Sequence, residues 1–234
     1  AIAMTIGGLL LANLVRNKKR TLLTTGSVLV AFFLFGTLRS VVTTLDAAAE
    51  VGSEERLITS SASGITFLLP EAHANRLRAV EGVRDVSWSN WFGGYYRDPQ
   101  DFFAQFAVKA ETFLPMYPEI QITAGDKEAF MRERTAAIVG VGLLEKYGWQ
   151  VGQTITLKGT FLPGDWEFNI RAAYTPTNPS FGNENMYFHY EYMYERSNGQ
   201  LQPGWFVLLL DRPDRAAEIA ASVIALSATQ RIGT

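Results

Sequence analysis

Side chains able to take a proton, attack a carbon or hold a metal are scarce in this sequence. Its 234 residues contain two histidines, His73 and His189, and no cysteine. Without thiols there is no disulfide framework, no thiolate nucleophile and no Cys-ligated metal. His189 sits in Met186-Tyr187-Phe188-His189-Tyr190-Glu191, with Glu184 and Glu191 as the nearby carboxylates that could join it on a metal. The specific zinc spacing H-E-x-x-H is absent, so a packed, hydrogen-bonded His189 and a solvated His73 are expected. Asp165 and Glu167 flank Trp166; at i and i+2 on a strand they share a face, as a glycosidase-type carboxylate pair would. The polar loop around them favours a solvated pair.

Phosphate chemistry fares no better. Gly140-Val141-Gly142 follows an apolar run as a dinucleotide fingerprint does, but Glu145 stands where the third glycine of G-x-G-x-x-G belongs. Neither the G-x-x-x-x-G-K-[ST] loop nor the G-x-S-x-G elbow occurs. The aromatic run Tyr187, Phe188, Tyr190, Tyr192 and Tyr194 could stack on bases or sugars, yet no basic residues accompany it. A sheet face or a partner contact is the better reading, with Tyr187, Tyr190, Tyr192 and Tyr194 as the candidate contact surface. The residues thus name no catalytic, cofactor or metal site, and a non-enzyme is expected.

The elements that must position these residues are more legible. An apolar fraction of 47% against 19% charged excludes a disordered chain and allows a large core. The net charge of −2 excludes a bulk nucleic-acid footprint. Charge is unevenly placed, because residues 1–45 hold Arg16, Lys18, Lys19, Arg20 and Arg39 and no acid. Thr21 to Leu38 is uncharged, and thirteen Leu, Val or Phe lie between Leu22 and Leu45. As a helix these 18 residues rise about 27 Å, and extension to Thr43 exceeds the ~30 Å hydrocarbon core. Arg39 lies near the end, where it can snorkel outward. A transmembrane helix over 21–45 is predicted; a cleaved signal peptide, the competing reading, has an apolar region of only about 7–15 residues. Arg16, Lys18, Lys19 and Arg20 precede the span as a membrane anchor, and Asp46, Glu50, Glu54 and Glu55 follow it. The positive-inside rule then places the N-terminus in the cytoplasm and everything after about 45 outside. Residues 1–15 suit an interfacial helix within the basic head 1–20.

After a stalk at 46–55, the body 56–226 reads as an α/β mixed (α+β) extracytoplasmic domain of interleaved strands and short helices, in one or two subdomains, with a tail at 227–234. Strands are expected at Arg56–Leu69 with a bend at Gly64, Val83–Tyr96 broken at Gly93-Gly94, Phe102–Thr112, Ala136–Val141, Gln153–Lys158, Trp166–Tyr174 and Trp205–Leu210. Helices are expected from Pro70 to Gly82, over Lys127–Arg134 capped by Asp126, over Leu143–Tyr147 and over Pro213–Leu226. Met186–Tyr194 fits either state.

The order of parts resembles the MacB/FtsX-like permease family of ABC transporters. Asn13-Leu-Val-Arg16-Asn17-Lys-Lys-Arg20-Thr21-Leu-Leu-Thr24 looks like the family's lead into its first span. Arg134-Thr-Ala-Ala-Ile138-Val139-Gly140, Leu144-Glu-Lys-Tyr147-Gly148-Trp-Gln-Val151-Gly152-Gln-Thr-Ile155, Phe161-Leu-Pro-Gly-Asp-Trp166-Glu-Phe168 and Trp205-Phe-Val are similar to segments of its external domain. The resemblance implies an inner-membrane subunit whose periplasmic domain handles substrate or moves with ATP hydrolysis in a separate ABC ATPase subunit. It also implies a dimer with a second permease copy or paralogue, embedded in the lipid bilayer and without nucleic acid. Family members continue into three more spans, so a truncated subunit is expected here. The competing readings are a membrane-tethered binding or adhesion module without an ATPase, using the aromatic run, and a tethered hydrolase using Asp165 and Glu167.

Overall fold

The computed structural model describes residues 16–50, 55–60, 71–178 and 181–229. The expected interfacial helix over 1–15, the bend at Gly64 and the helix start at Pro70 lie outside them. Two compact units result, Ala1–Val51 and Gly52–Thr234.

The first unit is the helix α1, Lys18–Glu50, 33 residues long. It begins before and ends beyond the predicted 21–45, and at about 1.5 Å per residue it reaches about 50 Å. Every large apolar side chain from Leu22 to Leu38 is exposed. The hydroxyls within it turn back onto the helix: Thr24 Oγ1 donates to Arg20 O at 2.9 Å, Ser27 Oγ to Thr24 O at 2.8 Å and Thr37 Oγ1 to Phe33 O at 2.8 Å. A helix apolar all round, with its polar side chains satisfied internally, is what a hydrocarbon solvent selects. By length and composition Lys18–Ser40 can cross a membrane.

The second unit is a mixed α/β body. Its described strands are β1 (Arg56–Ser60), β2 (Val83–Trp91), β3 (Gly94–Tyr95), β4 (Ala104–Val108), β5 (Ile120–Gly125), β6 (Ala136–Gly140), β7 (Thr154–Gly159), β8 (Gly164–Pro176), β9 (Asn185–His189) and β10 (Trp205–Leu210). They form one sheet in the order β1-β10-β2-β4-β9-β6-β8-β7-β3, with β5 added on β8. Pairs β4–β9 and β6–β8 are parallel and the rest antiparallel. The helices are α2 (His73–Arg78), α3 (Ala110–Met116), α4 (Lys127–Arg132), α5 (Val141–Tyr147), α6 (Tyr190–Arg196) and α7 (Ala216–Thr229), the last preceded by a 3₁₀ turn at Pro213–Arg215.

Strand alternation sends side chains into two cores. On one face Val86, Trp88, Phe168, Phe188, Phe206 and Leu208 are covered by Leu77 of α2, Leu143 of α5, Tyr190 and Met193 of α6, and Ile219 and Val223 of α7. On the other, Val108, Ile138, Ala172, Tyr174 and Tyr187 lie under Phe113 and Leu114 of α3 and Phe130 of α4. Strands buried on both faces lose their polar alternation, which is why Ala136-Ala137-Ile138-Val139 reads as a plain apolar run.

Three elements depart from the sequence reading. The strand expected over Phe102–Thr112 stops at Val108, and Lys109 turns the chain into α3, with its carbonyl accepting from Thr112 N and Phe113 N. Ala110, Phe113 and Leu114 then sit at the i, i+3, i+4 spacing of a buried helix face. Strand β5 was not anticipated; as an addition to β8 it needs only Ile120 and Ile122 turned inward. The helix expected from Pro70 to Gly82 is regular only over His73–Arg78 and ends in a turn at Gly82, φ +90°.

The far edge of the sheet returns to its middle. β2 continues through Phe92 and Gly93 into β3, which pairs with β7 at the sheet's end. Yet Phe92 N donates to Gln105 O of β4 at 3.2 Å. The fully buried Gln105 side chain accepts from Gly94 N at 2.7 Å and donates to Gly94 O at 2.9 Å, acting as a stand-in strand between β4 and β3. Between them the Phe92 ring enters the core against Trp166, Phe168 and Phe188, with centroids 5.0, 6.0 and 5.5 Å away. Replacing Gln105 with Leu keeps the volume and strands both Gly94 groups, so unfolding free energy is expected to fall by about 2–4 kcal/mol. Urea unfolding of the detergent-solubilised chain, followed by tryptophan fluorescence, measures it.

Candidate functional site

The predicted contact tyrosines divide between core and surface. Tyr187, on β9, and Tyr190, opening α6, are buried and leave the proposed contact surface. Tyr187 stacks on Phe106 at 5.7 Å and meets Phe113 at 4.6 Å, and burial pushes its phenol well above the usual range. Tyr190 donates to Leu201 O at 2.9 Å and touches Trp88 edge-on at 6.2 Å; burial likewise raises its phenol. The reason is geometric. Alternation along β9 sends Tyr187 into one core and Phe188 into the other, and the helix that begins at Tyr190 keeps that ring in the core of Phe188.

Tyr192 and Tyr194 remain half-buried on α6. Tyr192 packs edge-on against Trp166 and Phe168, and Tyr194 stacks on Tyr190. Sequence reasoning missed Arg196, whose guanidinium lies 4.2 Å above the Trp166 ring and donates to Asp165 O at 2.8 Å. The signal available was its i+4 spacing from Tyr192 on a helix. Tyr192 and Arg196 share one face of α6 over Trp166, while Tyr194 lies on the other side against Tyr190.

Asp165 and Glu167 share the exposed face of β8, as their spacing predicts. Lys158, opposite on β7, donates to Asp165 at 3.0 Å, and the pair stands open to solvent. His73 is half-buried on α2, its basicity lowered by burial and then by Arg76. His189 is buried, its Nε2 2.6 Å from Phe130 O. No group of three or more metal-ligating side chains occurs among the described residues. Gly140 and Gly142 have a packing role: the Asn183 backbone presses on Gly140 and accepts from Gly142 N at 3.0 Å. Chain atoms therefore occupy the space that a cofactor phosphate would need. A shallow groove of about 580 Å³ runs past Asp126, Glu133, Val151 and Arg171, where Glu133 already accepts from Arg171 and Asn169. Arg16, Lys18, Lys19 and Arg20 are all exposed at the start of α1.

No family model matches the chain, and no curated protein matches it in sequence. Solved structures do match. The extracellular domain of the ABC-type transporter YknZ from Gram-positive bacteria is similar at 15% identity, TM-score 0.50, over 70% of this chain and 87% of that one. The periplasmic region of MacB from Actinobacillus actinomycetemcomitans is similar at 11% identity, TM-score 0.53, over 76% of this chain and 85% of that one.

The fold is that of a MacB-type extracytoplasmic domain.

Within this MacB-type domain the two surviving tyrosines belong to a helix that closes the larger core, so stability and surface can be separated by substitution. Tyr190→Phe removes one buried hydrogen bond and is expected to lower stability by about 1 kcal/mol. Asp165→Asn, on the open face, is expected to leave the urea midpoint unchanged.

Proposed function

We propose that this chain supplies the first span and the extracytoplasmic domain of a permease subunit in a MacB/FtsX-type ABC transporter. The observation that carries the reading is the conjunction of an all-apolar helix behind a basic cluster with a MacB-type domain after it. Arg16, Lys18, Lys19 and Arg20 anchor the head at the cytoplasmic face through anionic lipid, at about 1 kcal/mol each. The span runs outward from them and the domain faces the periplasm or exterior. In this reading the domain has no catalytic duty. It handles substrate or passes on conformational change driven by ATP hydrolysis in a separate ATPase chain, within a dimer of permease copies or paralogues. Tyr192 and Arg196, with Tyr194 on the other side of α6, are its contact residues, combining rigid aromatic area with a guanidinium held in place by stacking.

The sequence contains no cysteine, which makes orientation directly readable. In intact cells an impermeant maleimide is expected to label Gln200→Cys and to spare Asn17→Cys; labelling of Asn17→Cys would reverse the orientation. Co-expressed with a candidate ABC ATPase subunit, the full chain is expected to co-purify with it in detergent. ATP hydrolysis by that complex is expected to stop when the P-loop lysine of the ATPase is changed. Purification without any ATPase chain would favour the tethered binding module instead.

A further inference from the structure

Where β9 passes into α6, two buried polar atoms face each other without a hydrogen-bond partner: His189 Nδ1 and Glu191 Oε2, 4.0 Å apart. The other imidazole nitrogen fixes the protonation state. Nε2 lies 2.6 Å from the carbonyl of Phe130, which can only accept, so Nε2 carries the hydrogen. A neutral His189 then turns a bare Nδ1 lone pair toward a carboxylate oxygen, and both are acceptors. Orphaned buried acceptors are costly and rare, and a single proton placed between these two satisfies both.

The charges around the pair favour that proton. From α6 come Glu191 and Glu195; from the start of α3, Lys109 and Glu111; from the turn between α4 and β6, Arg134. Lys109 Nζ is 3.6 Å from Glu111 and 3.9 Å from Glu191, while Arg134 is 3.5 Å from Glu191 and 3.9 Å from Glu195. Two cations thus face three carboxylates, leaving one negative charge uncompensated until His189 becomes an imidazolium.

We propose that His189 is a proton-binding latch, taking a second proton at Nδ1 from solvent water and donating it as a hydrogen bond to Glu191. The N–H bond formed at Nδ1 replaces an O–H bond of a hydronium ion in the solvent, which is left as water. The pair closes from 4.0 Å toward the about 2.8 Å of a charge-assisted bond. One ring then holds α4 through the Phe130 carbonyl and α6 through Glu191. Tyr192, Tyr194 and Arg196 lie on that same helix, so their footing gains a bond in acid and loses it in base. The latch follows from this geometry alone and stands whether or not the chain serves a transporter.

With two histidines in the sequence, the test is direct. The full chain, labelled with ¹⁵N-histidine and held in detergent micelles, is titrated by two-bond ¹H–¹⁵N correlation between about pH 8 and pH 5. His73→Asn assigns the remaining signals to His189. The expected result is an Nε2–H tautomer at the alkaline end, conversion to imidazolium within the window, and a midpoint about one pH unit lower in Glu191→Gln, a tenfold loss of proton affinity. An Nδ1–H tautomer at the alkaline end, an imidazole still neutral at the acid end, or a midpoint unmoved in Glu191→Gln would each overturn the proposal. The wild-type tautomer needs no substitution, so it remains decisive even if the variant fails to fold.

Discussion

The architecture of the second unit depends on one return of the chain, at Phe92-Gly93-Gly94. A sheet of this size twists, and an open far edge would expose unpaired backbone. Here β3 leaves β2, joins β7 at the sheet's end and is tied back to β4 by the Gln105 amide, which offers a donor and an acceptor as a strand would. Gly93, at φ +66°, makes the turn possible, and a side chain at Gly94 would strike the Phe92 ring. That ring is the hub of the larger core. Trp166, Phe168 and Phe188 meet it edge-on, in the geometry that aromatic quadrupoles prefer.

Once that half of the sheet is closed, both of its faces need helices, and the connections supply them. Each of β4, β6 and β9 passes directly into a short helix, α3, α5 and α6. Helices of seven residues have little stability of their own, so tertiary packing holds them. The strand-to-helix junctions are therefore where polar groups gather. Lys109, Gly140 and His189 are the three residues at these turns, and two of them, Lys109 and His189, belong to the charged cluster around Glu191. Charged and polar groups meet at this junction because strand ends are where side chains from different layers can meet.

The first unit follows a different pattern. The large apolar side chains of α1 from Leu22 to Leu38 are exposed, and the hydroxyls of Thr24, Ser27 and Thr37 bond to their own helix, the reverse of the second unit's burial. The two rules change over within a few residues of Glu50, where acidic residues replace the basic ones that precede the helix.

The sequence alone determined the apolar helix and its basic lead-in, because uninterrupted hydrophobicity and charge asymmetry are one-dimensional properties. It determined most elements of the body as well. Gly148 ends α5 in the left-handed conformation, Asp126 caps α4, and apolar runs mark β6 and β10. The α/β character and the resemblance to MacB/FtsX-like permeases were legible for the same reason. What only the tertiary structure decided was which side chains share a place. Five aromatic residues in the eight positions 187–194 look like one surface, but the fold buries Tyr187 and Tyr190 in opposite cores and leaves Tyr192 and Tyr194 half-buried on α6. Arg196 becomes part of that surface only because β8 brings Trp166 beneath it. Glu191 and His189 become a pair only because Phe130 fixes the far side of the ring. Local pattern specifies the element; long-range packing specifies its neighbours, and function is a property of neighbours.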